Sequence, residues 1–509
     1  MTSYRTSTSA AATAPAAAPA GLSPRLWGLL AVLAGNMLID ALEVSVMVVA
    51  MPSIGAGLGL SLTVLQWTMS GFALGFGGLM LFGGRVVALL GRRRVYLAAL
   101  LVFAAASLVA GVTSDPALLI ATRFVKGFCA ALTAPTGLAI ISTAFAEGRE
   151  RGRALSVYTL FGAGGFTAGL LLSGMLTEIS WRWTLVFPAP VVLLLFVFGL
   201  RLIPADEPDA AGPRRCGVTG AVSFTGSLAA LVFAIAAVPG AGWGGARVLG
   251  LAALAATLFT VFLAVERGAS QPLVRAGAWV NRALVRSALG AAALNGSYLG
   301  LLFVITFHLQ TRLGWGPLHT GLALLPASAP LAATALLSGR MVSRFGAPKL
   351  IAVGALPPLL GHLWFLRLSA PTAYAYDVLP TLLLVAAGFV LAFAALNAQA
   401  TAGAPAAERG MAGGVYQTAV QAAAVVMIAL VATLLAGDVA PAGASESVVL
   451  GSYRPAVVLI TGVGALGLLV GLTGLLPRTR ERPPTSAPGS GPGPEPAPLQ
   501  PRTSSNTVT

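Results

Sequence analysis

Long apolar runs recur along the chain, parted by short stretches rich in Arg, Gly and Pro. Each is close to the ~20 residues that an α-helix needs to cross about 30 Å of hydrocarbon. Fourteen can be marked out, at residues 27–49, 62–83, 94–113, 116–138, 153–176, 183–203, 218–238, 247–265, 287–310, 320–339, 350–368, 378–398, 412–436 and 455–476. Each is predicted to be a membrane-spanning helix. The edges of 183–203 and 378–398 are the least sharp, because Pro and Ala blur them. Residues 1–24, rich in Thr, Ala and Pro, are expected to form a disordered tail. They lack the basic n-region and compact apolar core of a cleaved signal peptide. Residues 477–509, rich in Pro, Ser and Gly, are expected to form a second flexible tail.

An even number of spans puts both termini on one side, and the basic residues choose which. Most of the 31 Lys and Arg, including Arg92, Arg93, Arg94, Arg214, Arg215, Arg282, Arg286 and Lys349, fall in loops on the side of the termini. The opposite loops hold Arg182, Arg247, Arg312, Arg367 and Arg454. The positive-inside rule then predicts a multi-pass protein of the cell membrane with both termini in the cytoplasm.

Composition agrees with lipid as the main solvent. Hydrophobic residues make up 57 % of the chain and charged residues 9 %, against roughly 25 % charged in a soluble domain. The mean hydropathy is +0.86. Surface-to-volume scaling would not let a soluble fold of this length hide so much apolar surface. The net charge of +15 lies in loops rather than on one face, so it marks orientation and not nucleic acid. Cys129 falls in a span and Cys216 in a cytoplasmic loop, so no disulfide between them is expected. His308, His319 and His362 are scattered without metal-ligand spacing. There is no G-x-x-x-x-G-K-[ST] loop and no nucleophile–base pair. No metal, cofactor or enzymatic activity is therefore expected.

The chemistry that needs explaining lies in the first span. MLIDALEVSVMVVAMP (37–52) holds Asp40 and Glu43 within an apolar helix. An unpaired charge there costs several kcal/mol or changes protonation state. Protons, cations or a buried basic partner are the reasons to keep such residues. A second feature is an internal repeat: GRVVALLGRRR (84–94) and GRMVSRFGAPK (339–349) each follow an even-numbered span on the cytoplasmic side. Gly84, Arg85 and Gly91 match Gly339, Arg340 and Gly346, the pattern of a duplicated architecture with a binding site between its halves. Arg92 continues the basic run in the first copy.

Together these features resemble the major facilitator superfamily, in its fourteen-helix drug–proton antiporter branch. The resemblance covers residues 25–476. It implies an all-α membrane fold of two pseudo-symmetric six-helix bundles (25–203 and 287–476) around a central cavity. Residues 204–286 would then hold loops and two additional helices, about 218–238 and 247–265. In the first span the family pattern resembles L-D-x-T-x-V-x-V-A-L-P, filled here by Leu42, Glu43, Ser45, Val49, Ala50, Met51 and Pro52; Glu43 takes the acidic position and Asp40 is an addition. In the fourth span LIATRFVKGFCAALTAP (119–135) resembles the family's basic motif through Arg123 and Gly127, with Lys126 in place of the usual Gln.

Depth along the helices links these four groups. At 1.5 Å per residue, Glu43 lies roughly 9 Å and Asp40 roughly 13 Å from the outer end of the first span. Arg123 lies roughly 10 Å and Lys126 roughly 15 Å from the outer end of the fourth. If the two helices face each other, as the family fold implies, Glu43 is level with Arg123 and Asp40 with Lys126. Asp40, Glu43, Arg123 and Lys126 are therefore the expected proton-coupling or gating residues, a permanently paired structural quartet being the alternative.

In the fifth span GFTAGLLLSG (165–174) resembles the antiporter motif G-x-x-x-G-P-x-x-G-G through Gly165, Gly169 and Gly174. Leu170 replaces its Pro and Ser173 a Gly, which weakens the implication of antiport. SWRW (180–183) matches the family and is expected to anchor Trp181 and Trp183 at the outer interface. In the loop after the second span the family expects an acid where Ala88 stands, and the second copy has Ser343 there. The resemblance thus implies either a cytoplasmic gate held differently from that of typical relatives or a weaker coupling.

The expected function is secondary active export of drugs, antibiotics or other amphipathic small molecules, coupled to protons, by a monomer in the lipid bilayer. Tyr158, Asn295 and Tyr298 are candidate substrate-binding residues, packing being the alternative for each. A proton-independent exporter or facilitator of an endogenous metabolite is the second reading, and a sensor on the same fold the third.

Overall fold

The computed structural model describes residues 22–206 and 217–475, apart from Ser369, Gly403, Ala406, Ala407 and 438–444. The C-terminal tail, nearly all of the N-terminal tail, and Arg214, Arg215 and Cys216 lie outside the described residues. Every regular element among those described is helical. In the first half these are α1 (Pro24–Leu58), α2 (Leu62–Leu90), α3 (Arg92–Val112), α4 (Pro116–Ala144), α5 (Arg149–Ile179), α6 (Trp181–Val186) and α7 (Pro188–Leu202). Next come α8 (Val218–Ala241), α9 (Ala246–Gly268) and the short α10 (Ala276–Val280). The second half holds α11 (Arg282–Phe307), which runs on as a π-helical turn to Arg312, then α12 (Pro317–Thr334), α13 (Ser338–Phe345) and α14 (Ala347–Phe365). A π-helical turn (Tyr374–Val378), α15 (Leu379–Ala402), α16 (Arg409–Gly437) and α17 (Glu446–Thr473) complete it.

Local chemistry sets several boundaries. Asp115 accepts from the N–H groups of Ala117 and Leu118 at 2.7 and 3.0 Å, with Pro116 opening α4. Asn281 caps α11 in the same way, accepting from Ala283 and Leu284. These are the orphan donors of a helix start, satisfied by short polar side chains. α1 ends at Gly59 with φ +62°.

Among the described residues twelve helices are long and apolar enough to cross a membrane, α6 and α7 together forming one span. α12 and α13, bent by 71°, would make a thirteenth. The run predicted at 350–368 is a helix, α14, but it is not among them. The fourteen spans expected from the apolar runs are therefore not established as fourteen crossings.

α1 packs on α5 and α2 on α4 in the first half; α11 packs on α16 and α14 on α15 in the second. Across the halves, α2 lies along α16 and α5 along α12. α8 and α9 pair with each other, and α8 leans on both α2 and α16, so the additional helices sit at the seam. Thr433 on α16 donates to the carbonyl of Ile235 on α8 at 3.0 Å. For orientation, the end holding the α1–α2 turn is the upper end, and that holding Gly91 and Gly346 the lower.

At the upper end the halves are tied by polar contacts. Gln310 donates to the carbonyl of Val49 at 2.9 Å, and Glu178 on α5 accepts from the Leu318 N–H at the start of α12 at 3.1 Å. At the lower end the sequence repeat is also a repeat of backbone. Gly91 (φ +92°, ψ 146°) and Gly346 (φ +79°, ψ 142°) each end one helix and begin the next in a region that L side chains rarely enter. The surroundings of the two copies differ. Arg93 donates its backbone N–H to Asp206 at 2.9 Å and its guanidinium to the Leu200 carbonyl at 2.6 Å. Arg85 donates to the carbonyls of Gln271 and Pro272 at 3.2 and 2.6 Å. That strap reaches the other half, where Arg275 pairs with Glu408 at 2.7 Å. Gly84 and Gly339 face open space, while Arg92 and Arg340 are exposed.

Candidate functional site

Asp40, Glu43, Arg123 and Lys126 are the only buried Asp, Glu, Lys or Arg side chains among the described residues, none more than 2 % exposed. Glycines make their approach possible. A Cβ on Gly127 of α4 would run into the Phe72 carbonyl of α2, and one on Gly75 into the Phe124 carbonyl. With these backbones in contact, Arg123 donates its Nε to the Thr68 carbonyl at 2.9 Å. On the other side Gly165 and Gly169 of α5 lie against the carbonyls of Leu38 and Leu42 on α1. Ser173 adds a 2.7 Å bond to the Val46 carbonyl. Gly174 instead meets Leu318 of α12, so the antiporter-like motif divides between the α1 contact and the contact with the other half. Leu170, in the position of the motif's Pro, is fully buried.

Glu43 sits between both cations. Its Oε2 pairs with Arg123 Nη1 and its Oε1 lies 2.5 Å from Lys126 Nζ. Arg123 Nη2 also donates to the Glu43 carbonyl at 2.9 Å. Phe72 lies under the Arg123 guanidinium and Phe103 under the Lys126 ammonium, each ring centroid 4.9 Å away. Such faces attract cations, the more so when water is excluded.

Asp40 does not pair with Lys126, contrary to the expectation from depth. Its Oδ2 accepts from Asn36 at 2.9 Å and from Thr133 at 3.0 Å, and no protein donor reaches Oδ1. The cause is the tilt of helical side chains toward their own N-terminus. α1 and α4 run in opposite directions, so Asp40 and Glu43 lean downward while Lys126 leans upward. Glu43 and Lys126 therefore converge, and Asp40 is carried down to Thr133. α1 also continues to Leu58, beyond the predicted end at 49, so counting from that end misplaced both acids.

The three candidate substrate residues are placed differently. Tyr158 is buried in the first half and donates to the Ala134 carbonyl at 3.1 Å, a tie between α5 and α4. Asn295 donates to the Val420 carbonyl at 3.1 Å, joining α11 to α16. Tyr298 lies between the halves: its ring is 5.7 Å from Phe166 on α5 and 4.5 Å from Phe389 on α15. Phe393 continues this aromatic row. Sequence reading missed Phe166 and Phe389, which nothing distinguishes from packing residues in a single sequence. Asn36 was legible in principle, one turn before Asp40 on the same face.

Residues 33–428 match the family profile described as Major Facilitator Superfamily. The chain belongs to the Major Facilitator Superfamily. Among curated relatives in this superfamily, the puromycin resistance protein pur8 of Streptomyces alboniger is 36 % identical over 421 residues, 82 % of this chain and 83 % of that protein. The cephamycin export protein CmcT of Amycolatopsis lactamdurans is 32 % identical, covering 74 % and 78 % of the two chains. The lincomycin resistance protein of Streptomyces lincolnensis is 30 % identical over 94 % of this chain and 97 % of its own length. Among solved structures, a D-xylose–proton symporter aligns at TM-score 0.61 with 16 % identity, over 88 % of this chain and 97 % of that one. At that identity the likeness speaks for the fold alone. This Major Facilitator Superfamily member is thus an all-helical, multi-pass membrane protein whose relatives are named for antibiotic resistance and export.

Proposed function

We propose that the chain is a proton-coupled exporter of antibiotics and other amphipathic small molecules. It works as a monomer in the plasma membrane with both termini in the cytoplasm. The observation that carries this reading is the buried cluster on α1 and α4: two acids and two bases, summing to zero charge, held out of water inside the first half against Phe72 of α2 and Phe103 of α3. Adding one proton gives the cluster a net positive charge in a low-dielectric site, a change large enough to bias a conformational equilibrium. Export by alternating access requires the upper contacts, Gln310–Val49 and Glu178–Leu318, to part in one state and to re-form in the other. The tilted aromatic row through Phe166, Tyr298 and Phe389 packs between the halves and would line a path for amphipathic cargo when they part. The names of the relatives point to antibiotics as the compounds to try first.

The test is expression in an efflux-deficient, susceptible host challenged with puromycin, lincomycin and a β-lactam, with and without a protonophore. Protection and lowered accumulation that the protonophore abolishes are expected. Protection that survives the protonophore overturns proton coupling. Unchanged accumulation of every compound overturns the substrate class.

A further inference from the structure

Asp40 and Glu43 lie one turn apart on α1, but their surroundings are opposite. Glu43 has a cation on each carboxylate oxygen. Arg123 is further fixed by the Thr68 and Glu43 carbonyls. Protonating Glu43 would leave two buried cations facing each other without a counter-charge, the situation that makes breaking a buried ion pair costly. Among the described residues no cation lies within ion-pair distance of Asp40. Its two hydrogen bonds come from neutral donors, Asn36 and Thr133, and both end on Oδ2. A proton placed on Oδ1 would break no protein contact.

The other titratable groups around Asp40 are few. Glu43 lies one turn above on α1. Tyr96 faces it from α3, Cys129 from α4 and Tyr158 from α5, with Lys126 one turn above Cys129. The hydroxyl of Tyr96 is fully buried and, like Asp40 Oδ1, has no protein partner. Buried polar atoms are rarely left unsatisfied, so both call for a reason. Asp40 also has mechanical reach. Through Thr133 it joins α1 to α4 just before Pro135, the proline within α4, and Tyr158 ties α5 to the adjoining Ala134 carbonyl.

We propose that Asp40, rather than Glu43, is the carboxylate that carries the coupled proton, while Glu43, Arg123 and Lys126 form a permanently ionised joint above it. This rests on the antiport reading and deepens it. In one step a hydronium ion from one side gives its proton to Asp40 Oδ1, an O–H bond breaking in the hydronium as one forms on the carboxylate and water being left; in the reverse step the proton passes to water on the opposite side. Neutral Asp40 is a weaker acceptor, so the Thr133 tie between α1 and α4 loosens when the proton is on and tightens when it leaves.

The test uses the full chain in liposomes and two readouts. Infrared difference spectra between acidic and alkaline buffer, without substrate, detect the carbonyl stretch of a buried protonated carboxyl. That band is expected in the wild type, absent in Asp40→Asn, shifted but present in Asp40→Glu, and present in Glu43→Gln/Lys126→Gln, where one cation leaves with the acid. In the second readout, puromycin accumulation driven by a pH gradient is expected to drop to the level of empty vesicles in Asp40→Asn and to return in part in Asp40→Glu. A titrating band that persists in Asp40→Asn, or vanishes in Glu43→Gln/Lys126→Gln, overturns the proposal. An Asp40 band in a wild type that a sodium gradient drives and a pH gradient does not overturns the antiport reading instead.

Discussion

The two halves of the molecule put different chemistry at mid-span. In the first half, α1 and α4 bury two acids and two bases. In the second half, α11 and α15 place Tyr298 and Phe389 in ring contact, and no Asp, Glu, Lys or Arg is buried among the described residues. Each half opens with a helix carrying a polar pair at i,i+3: Asp40 and Glu43 on α1, Asn295 and Tyr298 on α11. The positions correspond, yet one pair can change charge and the other can only hydrogen-bond and stack. Under the proposed function, the difference means that a duplicated scaffold divides its work, one half answering to protons and the other meeting apolar cargo. Phe166 of α5 reaches across to Tyr298, so the division is bridged at the seam.

The largest expected effect breaks the charged half. Glu43→Gln removes the one anion that both buried cations share. Breaking a buried ion pair by deleting one partner costs about 3–5 kcal/mol. Thermal unfolding of the full chain in detergent should show that loss, and Glu43→Gln/Lys126→Gln should recover part of it. An unfolding temperature equal to wild type for Glu43→Gln would mean that the three groups are not held as ions, and the contrast between the halves would lose its basis.

Next in size is the glycine seam that lets the charges meet. Gly127→Ala puts a methyl against the Phe72 carbonyl, and overpacking of a tight contact costs about 1–3 kcal/mol. Gly84, which the family resemblance also singles out, has open space around it. Gly84→Ala is expected to stabilise its helix by about 0.5–1 kcal/mol, the usual difference between Ala and Gly there. Opposite signs in the same unfolding assay would separate the glycine that serves packing from the one that does not.

These contrasts show where sequence reading worked. The apolar runs located the helices because hydrocarbon demands length and hydropathy together, and the acids and bases stood out because such residues are costly in lipid. Glu43 meets Arg123 as depth predicts, but the partner of Lys126 was not legible. Cα depth along two antiparallel helices ignores the opposite tilts of their side chains, and those tilts give Lys126 to Glu43. The lock at the lower end was hidden for another reason. Ala88 and Ser343 lack the acid that the family resemblance led one to expect, and both copies looked equally bare. In the structure Arg85 turns to the carbonyls of Gln271 and Pro272, and Asp206 meets the start of α3, contacts that link segments far apart in the chain. Backbone carbonyls leave no signature in a sequence. Tyr298 was noticed as a polar aromatic in a span, but its partners come from two other helices and could not be paired with it.

A smaller effect tests the aromatic half. Tyr298→Ala removes contacts with Phe166 and Phe389, each such pair contributing about 0.5–1.5 kcal/mol. The expected outcome is a changed resistance profile, with protection against planar aromatic compounds reduced more than protection against aliphatic ones. Tyr298→Phe keeps the ring and loses only the 3.4 Å bond to the Ala327 carbonyl, so it should keep the wild-type profile. Equal losses across all compounds in Tyr298→Ala would make the ring a structural prop and erase the proposed division between charge and stacking.

The smallest effect concerns what holds the halves together at the lower end. Arg275 and Glu408 pair at 2.7 Å, but the Arg side chain is 64 % exposed, and exposed pairs contribute about 0.2–1 kcal/mol. Their importance is geometric: the pair ends a strap whose other anchor is Arg85 on α2. Arg275→Glu or Glu408→Arg alone should lower transport by a small factor that grows at low ionic strength, because screening no longer softens the repulsion. The exchanged pair, Arg275→Glu with Glu408→Arg, should restore it. Both single variants act far from the buried cluster, so the wild-type dependence on the pH gradient should be retained. A single variant that shifts that dependence would show that the strap feeds back on the charged half, and the two regions would have to be treated as one coupled device.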